Sequence, residues 1–237
     1  MHNILVLSFE GFSFSSRQLY QQLLPKLLSR AVVHESTESK DALNYIATGW
    51  PSTILVTDPF ITQETDESRR LLDAVVAHTK QGCVTLLIGF FAAAVQYPRF
   101  DHILKHSFDL PWRVGAYTTG TNRLVDLEQH TIRRASLIPS FYTKSVYLQH
   151  VPPAHMIYAG PSGPSRGYSG SGGGVAYAAF ASVEFGKLGY IGDVDFGEEP
   201  EKLILAMCRL DREEDWLRES EDRIEHEEDD MIEEDDW

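Results

Sequence analysis

A cysteine at the start of an apolar run is the first residue of this 237-residue chain that could carry chemistry. Cys83 opens the segment CVTLLIGFFAAAV, whose pattern predicts a buried strand, a tight turn and a helix. Reactive groups of open parallel α/β sheets lie beyond the carboxyl ends of the strands. At about 3.3 Å per residue, the strand would hold Cys83 roughly 20 Å from that edge. We therefore predict a buried structural thiol and not a nucleophile.

Polar side chains follow the predicted strands at the edge where chemistry is expected. They are Ser8 and Glu10 after the first strand, Asp58 after the third, and Asp193 and Asp195 after the last. Carboxylates that converge in a cleft can act as general base and acid. Glu10, Asp58 and Asp193 are therefore the candidate catalytic residues. A turn-forming role explains these acids as well, above all for Asp58, which precedes a proline.

Aromatic residues could form the walls of a small-molecule pocket at the same edge. The predicted turn after the strand that Cys83 opens reads Gly89-Phe90-Phe91, and three further aromatic residues lie in nearby segments. The full set of candidate ligand-binding residues is Ser8, Gly89, Phe90, Phe91, Trp112, Tyr117, Tyr142 and Asp195. An apolar pocket with a few polar groups suits a small organic molecule. Core packing is the alternative role for these aromatic side chains.

Alternating strand and helix patterns in the first hundred residues predict a parallel sheet with both faces covered. The predicted strands are 3–9, 31–36, 52–58 and 84–88, and the predicted helices are 15–31, 38–48, 64–82 and 98–107. Short β-branched and aromatic segments then predict partly antiparallel strands up to a closing helix that begins near Pro200. The predicted fold is a three-layer αβα domain of flavodoxin-like type, with a mainly parallel sheet plus additional antiparallel strands.

The net charge of −14 is concentrated at one end of the chain. Residues 211–237 carry sixteen Asp and Glu against three Arg, so residues 1–210 are nearly neutral. Without a basic surface we expect no nucleic-acid partner. We divide the chain into an α/β domain (1–210) and an acidic extension (211–237), helical or disordered, that keeps the protein in solution or docks on a partner. Apolar residues recur every seven positions from the closing helix into this extension, which would allow the helix to continue past 210: Leu203, Leu210, Leu217, Ile224 and Met231.

Several segments lack the residues that a cofactor-binding, metal-binding or membrane-spanning motif requires. The glycine-rich segment 160–174 lacks the G-x-x-x-x-G-K-[ST] pattern, and no glutamate follows His102 to make a zinc motif with His106. No run reaches about 18 apolar residues, and the amino-terminal residues lack a basic leader. We expect no cofactor, no metal, no membrane contact and a cytoplasmic location. The segment RRAS (133–136) resembles a kinase site at Ser136, unless a strand buries it.

Three segments carry a family resemblance: CVTLLIGFFAAAV, FDLPWRVGAY and FGKLGYIGDVDFGEEPEKLILAMC. With them, roughly residues 1–210 resemble the class I glutamine amidotransferase-like superfamily and, within it, a group of fungal proteins of unassigned function. Active members of that superfamily hold a nucleophilic cysteine at the elbow and a histidine with an acidic partner after the last strand. Here the elbow reads Gly89-Phe90-Phe91-Ala92, and GDVDFGEE (192–199) contains no histidine. The resemblance therefore implies a member that does not hydrolyse glutamine.

Three functions remain open at the level of the sequence. The first is binding of a small organic ligand or a protein partner at the vacated elbow. The second is a hydrolase or lyase that uses a crevice carboxylate as its base, although a serine hydrolase is disfavoured because no G-x-S-x-G motif occurs. The third is an assembly or scaffold protein that acts through its acidic tail and forms a homo-oligomer.

Overall fold

One mixed sheet of nine strands, with helices on both faces, forms the frame of the described part of the chain. The computed structural model describes residues 2–9, 23–125, 132–161, 174–194 and 199–212. The strands are β1 (His2–Leu7), β2 (Ala31–Ser36), β3 (Thr53–Val56), β4 (Val84–Leu87), β5 (Arg113–Leu124), β6 (Ser140–Gln149), β7 (Met156–Ala159), β8 (Ala176–Val183) and β9 (Gly186–Ile191). The helices are α1 (Leu23–Leu28), α2 (Ser39–Gly49), α3 (Asp66–Lys80), α4 (Phe90–Ala94), α5 (Tyr97–His106) and α6 (Glu199–Met207).

Five strands, in the order β2-β1-β3-β4-β9, form a parallel half of the sheet. Its central strands are short apolar runs such as β3, in which every residue is buried because helices cover both faces. The predicted strands of this half and the predicted helices α2, α3 and α5 are confirmed, with ends shifted by a few residues. Of the helix predicted over 15–31, the structure describes α1, and residues 15–22 lie outside the described part.

The other half of the sheet is antiparallel and corrects the predicted fold. β5 pairs with β6 and β7, and β8 pairs with the same two strands, so these four strands close into a barrel that β8 joins to β9. Five of the nine strand pairings are antiparallel. The prediction of a mainly parallel, flavodoxin-like sheet is therefore wrong. One physical reason is that the connections between β6 and β7 (150–155) and between β8 and β9 (184–185) are too short for the crossover helices of parallel strands.

Two hydrophobic cores lie on opposite faces of the sheet, as the alternation of side chains along a strand requires. On β1, Leu5 and Leu7 belong to one core, whereas Ile4 and Val6 belong to the other. Helices α2 to α5 complete the first core, and α1 and α6 complete the second. Both faces of the parallel half are thus filled, which leaves the edges of the sheet and the barrel as places for a functional site.

The last described residues are held against the domain. Ser136 is 7% exposed, and its hydroxyl donates a hydrogen bond to the carboxylate of Asp211, so the RRAS serine is buried. The guanidinium of Arg30 donates to the carbonyl oxygen of Leu210 at 2.7 Å. The acidic extension from 213 onward and the segment 162–173 lie outside the described residues, and the predicted boundary at 210 stays a prediction. None of the described helices is both long and apolar enough to cross a bilayer.

Candidate functional site

The turn after β4 is a sharp strand-to-helix connection that carries no nucleophile. Gly89 adopts φ 63° and ψ −129°, a conformation that glycine tolerates better than any other residue. Phe91 is fully buried and packs edge-on against Phe100, with ring centroids 5.1 Å apart. Phe90 is partly exposed. Because Phe91 belongs to the core, the two phenylalanines do not form the open apolar floor expected at the elbow.

Cys83 is buried, as the sequence predicted. The side chain is 4% exposed, and burial raises the pKa of its thiol to about 12. Since the thiolate is the reactive form of cysteine, this thiol is inert at neutral pH. The prediction of a structural thiol is confirmed.

Ser8 and Asp58 lie side by side at the carboxyl ends of β1 and β3, where they hold backbone groups. Both carboxylate oxygens of Asp58 accept backbone N–H groups, one from Phe9 and the other from Phe60 at 3.0 Å. The hydroxyl of Ser8 is 3.0 Å from that of Thr57, which also donates to the backbone of β1. Because the backbone already occupies both oxygens of Asp58, the arrangement is that of a structural clamp.

The predicted aromatic walls are not brought together. Trp112 is fully buried beside α5, whereas Tyr117 and Tyr142 are 53% and 71% exposed on the outer face of β5 and β6. These three residues therefore do not line one pocket with the elbow. The predicted site residues Glu10 and Asp195 lie outside the described residues.

Asp193 is the predicted catalytic residue that lies among buried polar side chains, at the start of the chain segment after β9. Its carboxylate is 2% exposed and accepts a hydrogen bond from the hydroxyl of Thr143 at 3.1 Å. The backbone of Asp193 bridges to Ser145 on β6, and the N–H of Gly192 donates to the carbonyl of Tyr177 on β8. The chain that leaves β9 is thereby fixed between two strands of the barrel.

Four fully buried polar side chains surround this point, and we call them the barrel polar cluster. The cluster consists of Asn122 on β5, Ser145 and Tyr147 on β6, and Tyr177 on β8. Five of its atoms form no hydrogen bond of normal geometry with the described residues: the amide nitrogen and oxygen of Asn122 and the hydroxyl oxygens of the other three. Buried polar groups in native proteins are almost always paired, so an unpaired group calls for an explanation.

The electrostatics of the cluster keep its phenols protonated. Burial raises the pKa of Tyr147, although hydrogen bonding with the side chains of Ser145 and Asn122 acts in the opposite direction. Burial, reinforced by the carboxylates of Asp193 and Glu199, raises the pKa of Tyr177 well above its ordinary value. Both hydroxyl groups are therefore neutral at physiological pH, and the cluster offers neutral donors and acceptors. No group of three or more His, Cys, Asp and Glu in the described part could hold a metal ion.

Our reading of the sequence missed every member of the cluster. A signal for it exists in β6, where Thr143, Ser145 and Tyr147 alternate with other residues and so share one face of the strand. We selected Tyr142 instead, which points away from this face because it is one position out of phase. The alternation identifies a polar face but gives no sign of whether that face is buried.

Comparisons with known proteins show the fold. No protein-family model matches the chain, and no curated protein matches it significantly. A ThuA-like protein from Bacteroides uniformis matches with a TM-score of 0.52 at 16% identity, over 88% of this chain and 90% of that one. A cytoplasmic protein from Salmonella typhimurium LT2 gives a TM-score of 0.53 at 9% identity, over 89% and 96%. A β-galactosidase from Bacillus circulans sp. alkalophilus gives 0.51 at 9% identity, over 88% of this chain but only 31% of that enzyme.

The described fold is thus similar to that of a ThuA-like protein, and it combines parallel strands with an antiparallel barrel. The assignment to the class I glutamine amidotransferase-like superfamily is wrong, because the likeness is to the ThuA-like fold and the sheet is not of the expected type. The narrower placement in a fungal group falls with that assignment, and none of the comparisons shows a fungal origin.

Proposed function

We propose that this protein binds a small, uncharged, hydroxyl-rich molecule at the barrel polar cluster. One observation carries the proposal: five polar atoms of four fully buried side chains have no hydrogen-bond partner within the described residues. Leaving a buried polar group unpaired costs about 1–3 kcal/mol. A ligand whose hydroxyl or amide groups pair with these atoms would recover this free energy on binding.

The donors and acceptors of the cluster define the chemistry of the ligand. The amide of Asn122 supplies both kinds of group, and each of the three hydroxyls can donate or accept. The carboxylates of Asp193 and Glu199 act on the hydroxyl of Tyr177, which makes the site unfavourable for an anion. A polyol or a monosaccharide, with many hydroxyl groups and no charge, meets these requirements.

The buried position of the cluster favours a small molecule over a protein partner. Its four side chains are fully buried, so no macromolecular surface reaches them, and a small molecule reaches them only when the barrel opens. An assembly role through the acidic tail, with or without a homo-oligomer, concerns residues outside the described part and is a separate proposal. A cytoplasmic location, also a proposal, is supported by the two cysteines, Cys83 and Cys208, which are unpaired.

A hydrolase or lyase is a second candidate because of one observation, the buried carboxylate beside the cluster. The backbone occupies both oxygens of Asp58, and Glu10 lies outside the described residues, so Asp193 is the acid to test. If a bound ligand is turned over, Asp193→Asn should abolish turnover and leave ligand binding measurable. Equal loss of turnover and binding would remove the catalytic proposal and keep the binding site.

The first experiment measures thermal unfolding with glycerol, myo-inositol and galactose as uncharged probes. A probe at 100 times its dissociation constant adds about 2.7 kcal/mol to the folded state, a shift that is easily measured. We expect at least one probe to raise the midpoint of the wild-type protein. Tyr177→Phe should lose this shift because it removes one unpaired hydroxyl and keeps the ring.

A matched control is available in Tyr190, a fully buried tyrosine whose hydroxyl donates to the carbonyl of Val146 at 2.8 Å. Tyr190→Phe should keep the shift caused by the probe. The proposal fails if no probe shifts the wild-type protein and mass spectrometry of the denatured protein finds no co-purified small molecule. It also fails if Tyr177→Phe and Tyr190→Phe respond to the probes alike.

A further inference from the structure

A cleft of about 580 Å³ lies between α5 and the first residue of β5, separate from the barrel polar cluster. Its volume falls within the range of small-molecule sites, about 300–1,000 Å³. Lys105 lines it from α5, and Arg113 lines it from β5. Trp112, which is fully buried, forms part of its wall. The lining therefore combines two exposed cations with two acids, Asp101 and Asp109, and a buried tryptophan.

Two of the four charged side chains that line the cleft are cations without an ion-pair partner among the described residues. Neither Lys105 nor Arg113 forms an ion pair with any of the described residues. Asp101 also lines the cleft, but its carboxylate accepts the backbone N–H of Val114 at 2.7 Å. Asp109 is the other acid of the lining. An anion placed between the lysine and the arginine would receive charge-assisted hydrogen bonds from both, which are stronger than those between neutral groups.

The backbone and the tryptophan add two observations that point to the same cleft. Asp109 and His150, which line it, both have φ 55°, a left-handed conformation that is uncommon outside glycine. Strained residues of this kind cluster at ligand-binding and catalytic sites. The indole N–H of Trp112 is buried and has no acceptor among the described residues. Trp112 belongs to the lining, so an anion that reached this N–H would pair it.

We propose that this cleft binds a small organic anion, whose carboxylate or phosphate group lies between Lys105 and Arg113. The site is independent of the function proposed above, because it shares no residue with the barrel polar cluster. It takes a ligand of a different character, since the cleft offers two cations and the barrel polar cluster offers uncharged donors and acceptors.

Isothermal titration of the full chain at low ionic strength tests the proposal, with citrate and inorganic pyrophosphate as probes. A charged hydrogen bond contributes about 1.5–3 kcal/mol, so Lys105→Gln and Arg113→Gln should each weaken the bound probe about tenfold or more. Lys40→Gln, which changes an exposed lysine on α2, is the matched control and should bind as the wild type does. Asp109→Asn should strengthen binding, because it removes a negative charge from the lining.

Which probe binds more tightly identifies the carboxylate or the phosphate as the preferred group. The proposal is overturned if neither probe gives saturable binding to the wild-type protein. It is equally overturned if Lys40→Gln weakens binding as much as Lys105→Gln, because a diffuse surface charge would then explain the attraction. Tyr177→Phe should leave anion binding unchanged, so the failure of one site can be told apart from the failure of the other.

Discussion

At the carboxyl ends of β1 and β3, buried polar side chains all have partners, whereas in the barrel several have none. Thr57 bonds to the backbone of β1, and Asp58 bonds to two backbone N–H groups. On the other side of β9, the side chains of Asn122 and Tyr177 are equally buried and remain unpaired among the described residues. The polar side chains of the two regions are thus equally buried, but only those of the first region have hydrogen-bond partners.

This difference separates a scaffold from a binding site. Paired groups gain little from a new contact, because binding would first have to break the hydrogen bonds they already make. Buried groups without a protein partner gain more from each hydrogen bond that a ligand supplies, because no existing protein hydrogen bond has to be broken first. The paired groups of the parallel half therefore stabilise the fold. The unpaired groups of the antiparallel barrel can form new hydrogen bonds when a ligand binds. The experiments below test this contrast, beginning with the junction between the two halves.

The largest effect is expected from Gly192→Ala at that junction. A Cβ atom on Gly192 would lie 2.1 Å from the carbonyl oxygen of Val146, and the backbone of Gly192 bonds to both Val146 and Tyr177. Because backbone atoms cannot move aside cheaply, we expect a loss of about 4 kcal/mol or more in the free energy of unfolding. Urea denaturation measures it. Gly174→Ala is the control, since its nearest neighbour is 3.8 Å away, and it should change stability little. Equal midpoints for the two variants would show that the halves are not rigidly joined.

A moderate difference in stability is expected between the phenylalanine variants of the two buried tyrosines in the absence of ligand. Tyr190→Phe breaks a hydrogen bond to the carbonyl of Val146 and should cost about 1 kcal/mol. Tyr177→Phe removes a hydroxyl without a partner among the described residues and should leave stability unchanged or raise it by about 1 kcal/mol. Comparing the urea midpoints of the two variants with that of the wild type tests this difference. A loss in Tyr177→Phe as large as that in Tyr190→Phe would mean that an ordered water already pairs its hydroxyl.

The parallel half could be predicted from the sequence because its elements carry strong local signals. A strand covered on both faces is mostly apolar, and β3 and β4 each carry three aliphatic residues and one threonine in a single short run. The helix α3 begins after Thr65, whose hydroxyl accepts the N–H of Ser68, and it has acids in its first turn and Lys80 in its last. Such signals depend on neighbours along the chain, which a sequence displays directly.

The barrel and the cluster could not be predicted because they depend on pairing between distant segments. The partners of β5 and β8 are chosen by contacts that no local pattern reports, and the closure of the barrel follows from them. The burial of Ser145 and Tyr147 also depends on register, since a shift of one residue would present Tyr142 to the interior instead. The resemblance to the amidotransferase-like superfamily failed for a similar reason, because short shared motifs do not fix the direction of the later strands.

The smallest expected effect concerns a polar network at the edge of the parallel half, on β2 and α2. The carboxylate of Asp41 accepts a hydrogen bond from the Ser36 hydroxyl at 2.7 Å and lies 2.8 Å from the imidazole of His34, and these contacts hold its pKa below the ordinary 3.8. A lowered pKa in the folded state adds stability above pH 3.8, which is lost as the pH falls through the folded value. Since the side chain is 45% exposed, the contribution should stay below about 1 kcal/mol.

The difference in urea midpoint between the wild type and Asp41→Asn should therefore disappear on acidification. Asp73→Asn, an exposed change on α3, should show no such difference at any pH. A gap that persists in acid would mean that the amide disturbs the packing of β2 and that the charge of Asp41 contributes nothing.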